Sequence, residues 1–113
     1  MIYAHFIQQN RRIKKFTLSG HAESGPYGHD LVCAAASALA IGATNNVIRL
    51  ANVEPSVDAN EEEGGFLEVI LPDILDGKQQ EISQLLLQSL YYSLLDMEES
   101  YGDFISVTTQ NDD

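Results

Sequence analysis

The sequence predicts an α+β fold, a two-layer sandwich in ββαββαβ order with a mixed sheet and two helices on one of its faces. Three observations predict it. Short segments near both ends and in the middle alternate apolar with polar residues, the period of half-buried strands. Two long segments, Leu31 to about Leu50 and Asp76 to Tyr101, read as helices instead. The chain has 113 residues, 44% hydrophobic and 20% charged, which is one globular domain over residues 1–113 and excludes two independent catalytic domains or a disordered chain.

Ile2, Ala4 and Phe6 alternate with Tyr3, His5 and Ile7, and after the polar stretch Gln8 to Arg12 the pattern resumes with Phe16, Leu18 and Gly20. Two strands joined as a hairpin follow. From Leu31 to about Leu50 the chain is apolar, rich in Ala and nearly free of charge, as expected of a helix largely enclosed by other elements. Val53 to Ala59 and Phe66 to Leu71 alternate again around Asn60-Glu61-Glu62-Glu63-Gly64-Gly65, a second hairpin whose glycines permit the turn. Asp76 is placed to cap a second helix. In it Ile82, Leu85, Leu86, Ser89, Leu90, Ser93, Leu94, Met97 and Tyr101 recur at three- and four-residue steps and form one amphipathic face. Gly102 is expected to stop it, and Phe104 to Thr108 to return as a strand. The Asp112-Asp113 tail is expected to fray.

The net charge is −11, from 17 acids against six Lys plus Arg. That field repels phosphate backbones and argues against a nucleic-acid partner. Arg11, Arg12, Lys14 and Lys15 fall together and read as a solvated hairpin tip, while the acids gather at Glu54, Asp58, Glu61 to Glu63 and Glu68, and again at Asp96, Glu98, Glu99 and Asp103. Such a surface keeps a protein soluble and suits a basic protein partner. Unbroken apolar runs such as Leu31 to Ala36 and Leu85 to Leu87 fall far short of the about 20 residues of a membrane span. Neither a spanning segment nor a secretory leader is expected, so the location expected is cytoplasmic. The single cysteine, Cys33, forms no internal disulfide, in keeping with a reducing compartment.

Chemistry concentrates between Gly20 and Leu39, which reads GHAESGPYGHDLVCAAASAL. His21 closes a strand, a loop with Gly25, Pro26 and Gly28 follows, Asp30 opens the central helix, and Cys33 falls in its first turn. With Asp30 as cap, Cys33 is the third helical residue, where unpaired amides and the helix dipole favour a thiolate. His21, twelve residues before it, is the candidate imidazole to take the thiol proton and return it to a leaving amine. Gly25 and Gly28 would let the loop backbone approach a substrate, and its amides could hold an oxyanion. Asp30 either caps its helix, the favoured role, or orients the imidazole. Ser37, one turn beyond Cys33, supports the site or bonds back to the helix.

Other assignments compete. Free cysteine is among the most buried residue types, so on composition Cys33 is more often core than catalyst. His21, His29 and Cys33 could make a three-ligand metal site, although His29 precedes the proposed cap and would leave the helix face. His5 is read as a strand residue without chemistry, and Tyr91 and Tyr92 as packing or interface residues.

The run Gly20-His21-Ala22, then Gly28-His29-Asp30-Leu31-Val32-Cys33-Ala34-Ala35, then Ser37 and Leu39, resembles the signature of the ribosomal-processing cysteine protease Prp family. The pattern is specific, and the family's ββαββαβ sandwich matches the chain in length and element order. The resemblance implies a cysteine endopeptidase that removes the N-terminal extension of the bacterial large-subunit ribosomal protein L twenty-seven precursor, a step needed for ribosome maturation. It implies Cys33 as nucleophile and His21 as its histidine, with Gly20, Gly28, Asp30 and Ser37 supporting the site or binding substrate. Neither cofactor nor metal is implied. It further implies a homodimer, a Gly-rich loop that covers the site, and an apolar groove beside that loop, because the extension is apolar and ends in aromatic residues. The alternative from another class is a non-catalytic ribosome-assembly factor that binds a basic ribosomal protein through its acidic surface. A metal-dependent hydrolase is a third.

Overall fold

The computed structural model describes residues 1–20, 29–60 and 65–113, except for the side chains of His29 and Asp30. The alternating N-terminal segment pairs as expected. β1 (Ile2–Gln9) and β2 (Arg12–Ser19) are antiparallel, joined by Asn10 and Arg11 at φ of 54° and 63°. Two left-handed residues make the turn whose twist matches that of the strands. The register shifts between Ile7 and Gln8. There Gln84 of the second helix takes over, accepting from the Ile13 amide at 2.8 Å and donating to the Ile13 carbonyl at 2.8 Å.

α1 runs His29–Ala51. It ends because Asn52 turns left-handed, at φ 56°, and Val53 N–H reaches back to Val47 O, a closure that Asn tolerates better than most residues. β3 (Ser56–Asn60) and β4 (Phe66–Ile70) form the second hairpin. α2 (Gly77–Tyr101) opens on a capping box: Asp76 accepts from Gln79 N at 2.7 Å, and Gln79 Oε1 accepts from Asp76 N at 3.1 Å. β5 (Ile105–Asn111) returns parallel to β1.

The five strands lie in the order β3-β4-β2-β1-β5, with β1·β5 parallel and the other pairs antiparallel. Both helices cover one face. Ile2, Ala4 and Phe6 of β1, Phe16 and Leu18 of β2 and Val69 of β4 are buried there against Val32, Ala36, Ala40 and Val47 of α1 and Leu87, Leu90 and Leu94 of α2. Phe6 sits at the centre, stacked on Phe16 and edge-on to Tyr91. The mixed sheet with two helices on one face is therefore the α+β sandwich that the pattern predicts.

Four expectations change. α1 is not enclosed: Leu31, Ile41 and Leu50 are 63%, 52% and 60% exposed. As a whole, Leu31–Ala51 is long and apolar enough to cross a membrane by length and composition, with a mean hydropathy of 1.6 over 18 residues. Counting unbroken runs missed this, because Ser37, Gly42 and Thr44 interrupt the run at little cost in hydropathy. In the fold the helix instead packs one stripe into the core. α2 buries Ser83, Gln84, Leu87, Leu90 and Leu94, a face rotated from the one predicted, and Leu85 is 62% exposed. The rotation brings Gln84 to the unpaired Ile13 backbone. Gly102 ends the helix as expected, though in a right-handed conformation (φ −60°, ψ −18°); a Cβ on it would stand 3.0 Å from Glu98 O. The tail is tied down, with Asp112 N–H on Gln8 O and Asn10 N–H on Asp113 Oδ1. The basic hairpin is not simply solvated, since Lys14 pairs with Asp73 and Lys15 with Glu68 at 3.0 Å.

Candidate active site

The sheet ends that flank the start of α1 fix the site. β2 ends at Ser19, opposite Phe66 at the start of β4, and Gly20 N–H donates to Gly65 O at 3.3 Å. Gly20 has φ +111°, and a Cβ on it would stand 2.2 Å from Met1 O. Glycine is required there on both counts, conformation and space. The chain leaves the sheet at this point towards His21.

α1 returns over the same end of the sheet. It begins at His29, one residue before the expected cap, so Asp30 is its second residue and Cys33 its fifth. Unpaired first-turn amides favour an acid both at the cap and just inside it, so residue type alone does not separate these positions. Helical side chains tilt towards the N-terminus, and Cys33 therefore leans back over the first turn. His29 lies inside the helix rather than before it, so the argument that set it aside does not hold, and its side chain lies outside the described residues. Among the described residues no three His, Cys, Asp or Glu side chains gather as metal ligands. His21, Gly25 and Gly28 lie outside the described residues, as does the Glu61 to Gly64 turn, so the Cys33–His21 relation is not part of the described geometry.

Cys33 is half-buried and stands at one end of a groove of about 460 Å³ between α1 and the β3–β4 hairpin. The helix side is the stripe Cys33, Ser37, Ile41, Asn45 and Ile48; the sheet side includes Val57, Ala59, Phe66 and Leu67. Val57 and Ala59 pair with Val69 and Leu67, so they belong to the helix-facing side of the sheet, where neither helix covers them. Thr44, also on the lining, donates its hydroxyl to Ala40 O at 2.8 Å. Gly20 and Gly65 also line it. An apolar, open-ended channel with a thiol at one end suits a peptide chain of apolar character rather than a compact polar metabolite.

Against known proteins, a family model described as cysteine protease Prp matches residues 1–106. The chain belongs to the cysteine protease Prp family. The ribosomal processing cysteine protease Prp of Bacillus subtilis is 39% identical over 100 residues, covering 88% of each chain. Its Staphylococcus aureus counterpart is 32% identical over 99 residues, covering 88% of this chain and 89% of its own. Among solved structures, a Streptococcus mutans protein superposes with a TM-score of 0.90 at 32% identity, covering 99% of this chain and 96% of its own. The essential ribosomal processing protease Prp of S. aureus, in complex with a substrate peptide, gives 0.84 at 30%, covering 97% and 100%.

The sequence foresaw the family. The walls of the groove were not foreseen beyond Cys33, Ser37 and Gly20. Ile41, Asn45 and Ile48 read in the sequence as parts of an enclosed helix, and only their spacing from Cys33 could have marked them. His5 stays on the other face of the sheet, its Nδ1 2.6 Å from Thr108 Oγ1. Tyr91 packs and Tyr92 is exposed.

Proposed function

We propose that this chain is a cysteine endopeptidase that removes the N-terminal extension of the large-subunit ribosomal protein L twenty-seven precursor. The observation that carries the reading is the position of Cys33 at the end of an apolar groove, in a chain of the Prp family. The S. aureus relative has been crystallised with a covalently linked product peptide, which is what a thiol that attacks a peptide carbonyl would leave. The apolar part of the substrate lies in the groove, and the basic body of a ribosomal protein meets the acidic exterior.

In the mechanism His21 takes the Cys33 proton and Sγ attacks the scissile carbonyl carbon. The oxyanion is received by amides of the loop around Gly28. His21 then gives its proton to the leaving amine as the C–N bond breaks, leaving a thioester on Cys33. Water, deprotonated by His21, attacks the thioester; the acid product leaves and the thiol is restored. Gly20 fixes the strand end that leads into His21, while Asp30 and Ser37 support the helix side. The enzyme acts without cofactor or metal, in the cytoplasm, as a homodimer whose Gly-rich loop opens to admit the substrate.

The test is incubation with a peptide spanning the precursor's processing site, beside Cys33→Ala and His21→Ala, with products read by mass spectrometry. Specific cleavage by the wild-type chain and none by either variant is the expected result. Undiminished cleavage in either variant would refute the dyad. Binding without cleavage would favour a non-catalytic assembly factor.

A further inference from the structure

Asn45 is one of the few polar residues, with Ser19, Ser37, Thr44 and Asn60, on a largely apolar groove lining. It lies three turns beyond Cys33 on the stripe that faces the groove, between Ile41 and Ile48, and is half-buried. Asn is a poorer helix former than Leu or Ala, since its side chain competes for backbone hydrogen bonds. Here it makes no such bond, nor any other hydrogen bond among the described residues. Its neighbour Thr44 is satisfied within the helix by Ala40 O. Its amide is reachable from the groove, so its donor and acceptor are free to meet a ligand there.

The groove's shape says what that partner is. From Cys33 to Ile48 the helix rises about 22 Å, which an extended peptide covers with about six or seven residues. An extended peptide offers one N–H and one C=O per residue, and a carboxamide carries both a donor and an acceptor to meet them. At about 18 Å from the thiol along the axis, Asn45 is remote from the chemistry and able to act only on how the substrate is held.

We propose that Asn45 is a positioning residue that grips the backbone of an extended apolar peptide about five residues from the scissile bond, so that recognition depends on substrate length. Ile41, Ile48, Val57 and Leu67 take the peptide's apolar side chains while the amide fixes its register. This rests on the protease reading for the identity of the peptide, and it is tested by binding as well as by cleavage.

In a Cys33→Ser background, which holds the peptide without forming a thioester, calorimetry would compare synthetic peptides carrying the processing site with arms of about three or about seven residues on each side in turn. A longer arm on one side is expected to tighten binding about tenfold or more. Asn45→Ala is expected to remove about tenfold of that preference, consistent with two lost hydrogen bonds of ordinary strength. Ile48→Lys is expected to abolish it. Equal affinity for both arm lengths, or an equal loss on both in Asn45→Ala, would overturn the proposal. A length preference as large in Asn45→Ala as in the parent would do the same. Thermal melts confirm that each variant is folded. Cleavage by the Cys33 chain is scored separately: none at any length, with the Asn45-dependent preference intact, would overturn the protease reading and leave this one standing.

Discussion

Replacing Gly20 with Ala tests how the strand end beside the site is built. At φ +111° an L residue carries about 1 to 3 kcal/mol of backbone strain. The new Cβ would also stand 2.2 Å from Met1 O and 3.1 Å from Ile2 Cα, both backbone atoms, so no side chain can swing aside. Met1 O would have to move by about 1 Å, since unbonded carbon and oxygen need more than about 3 Å. That movement pulls on Ile2 N–H, which donates to Phe104 O at 2.8 Å and contributes about 1 kcal/mol. The Ala variant gains about 0.4 to 1 kcal/mol from a less flexible unfolded chain. The net cost is about 3 kcal/mol, or about 10 °C in Tm for a domain of this size. Gly65→Ala is the control. Its φ of +85° carries similar strain, but the Cβ meets only Gly20 O at 3.4 Å, an ordinary contact, so its cost is about 1 kcal/mol. Urea unfolding of both would separate the clash from the strain. If Gly20→Ala proved no less stable than Gly65→Ala, the reasoning from close approach would fail. Where both variants remain folded, peptide cleavage should fall further in Gly20→Ala, because the displaced backbone is the one that leads to His21.

Two further outcomes follow from the fold. Gly42 lies inside α1, where an added Cβ meets nothing within 4 Å, so Gly42→Ala should raise stability by about 0.5 to 1 kcal/mol; a loss in a urea titration would show that the position is occupied. Gln84→Leu leaves the buried Ile13 N–H and C=O unpaired and should cost about 2 to 5 kcal/mol, whereas Gln84→Glu, which still accepts from Ile13 N–H, should lose less. Equal losses in the two variants would refute the amide's double role.

The elements were legible wherever one period dominated. Ile2, Ala4 and Phe6 fix β1, and Asp76 with Gln79 fixes the start of α2, because these signals are local. The buried face of α2 was not, because Gln84 is buried only through its fit to a register shift 71 positions away in the chain, and a helical period in apolar residues cannot see a satisfied polar one. The same limit applies at the site. The run from Gly20 to Leu39 carries the family and its cysteine, yet the wall opposite Cys33 is made by β3 and β4, whose approach to α1 is a tertiary fact. Asp30 was misplaced by two positions for a different reason, since acids are favoured on both sides of a helix start.

The composition of α1 makes sense only in terms of three separate demands. A helix that covers a sheet on one side needs one apolar stripe, and Val32, Ala36, Ala40, Val47 and Ala51 supply it. The stripe Cys33, Ser37, Ile41 and Ile48 lies next to it around the helix and is kept from the core to line the groove. On the proposed function, the apolar residues of that second stripe serve a substrate rather than stability. Ala34, Ala35, Ala38 and Leu31 occupy a third, exposed sector. The absence of charge from Leu31 to Ile48 therefore does not record deep burial. Charges on the groove stripe would oppose an apolar peptide, and alanines next to it keep the helix surface low. On this argument a charge placed at Ile41 should weaken peptide binding with little loss of stability, because Ile41 is already 52% exposed, whereas the same charge at Ala40, wholly buried, should unfold the domain. Stability and affinity thus separate between two adjacent residues of one helix.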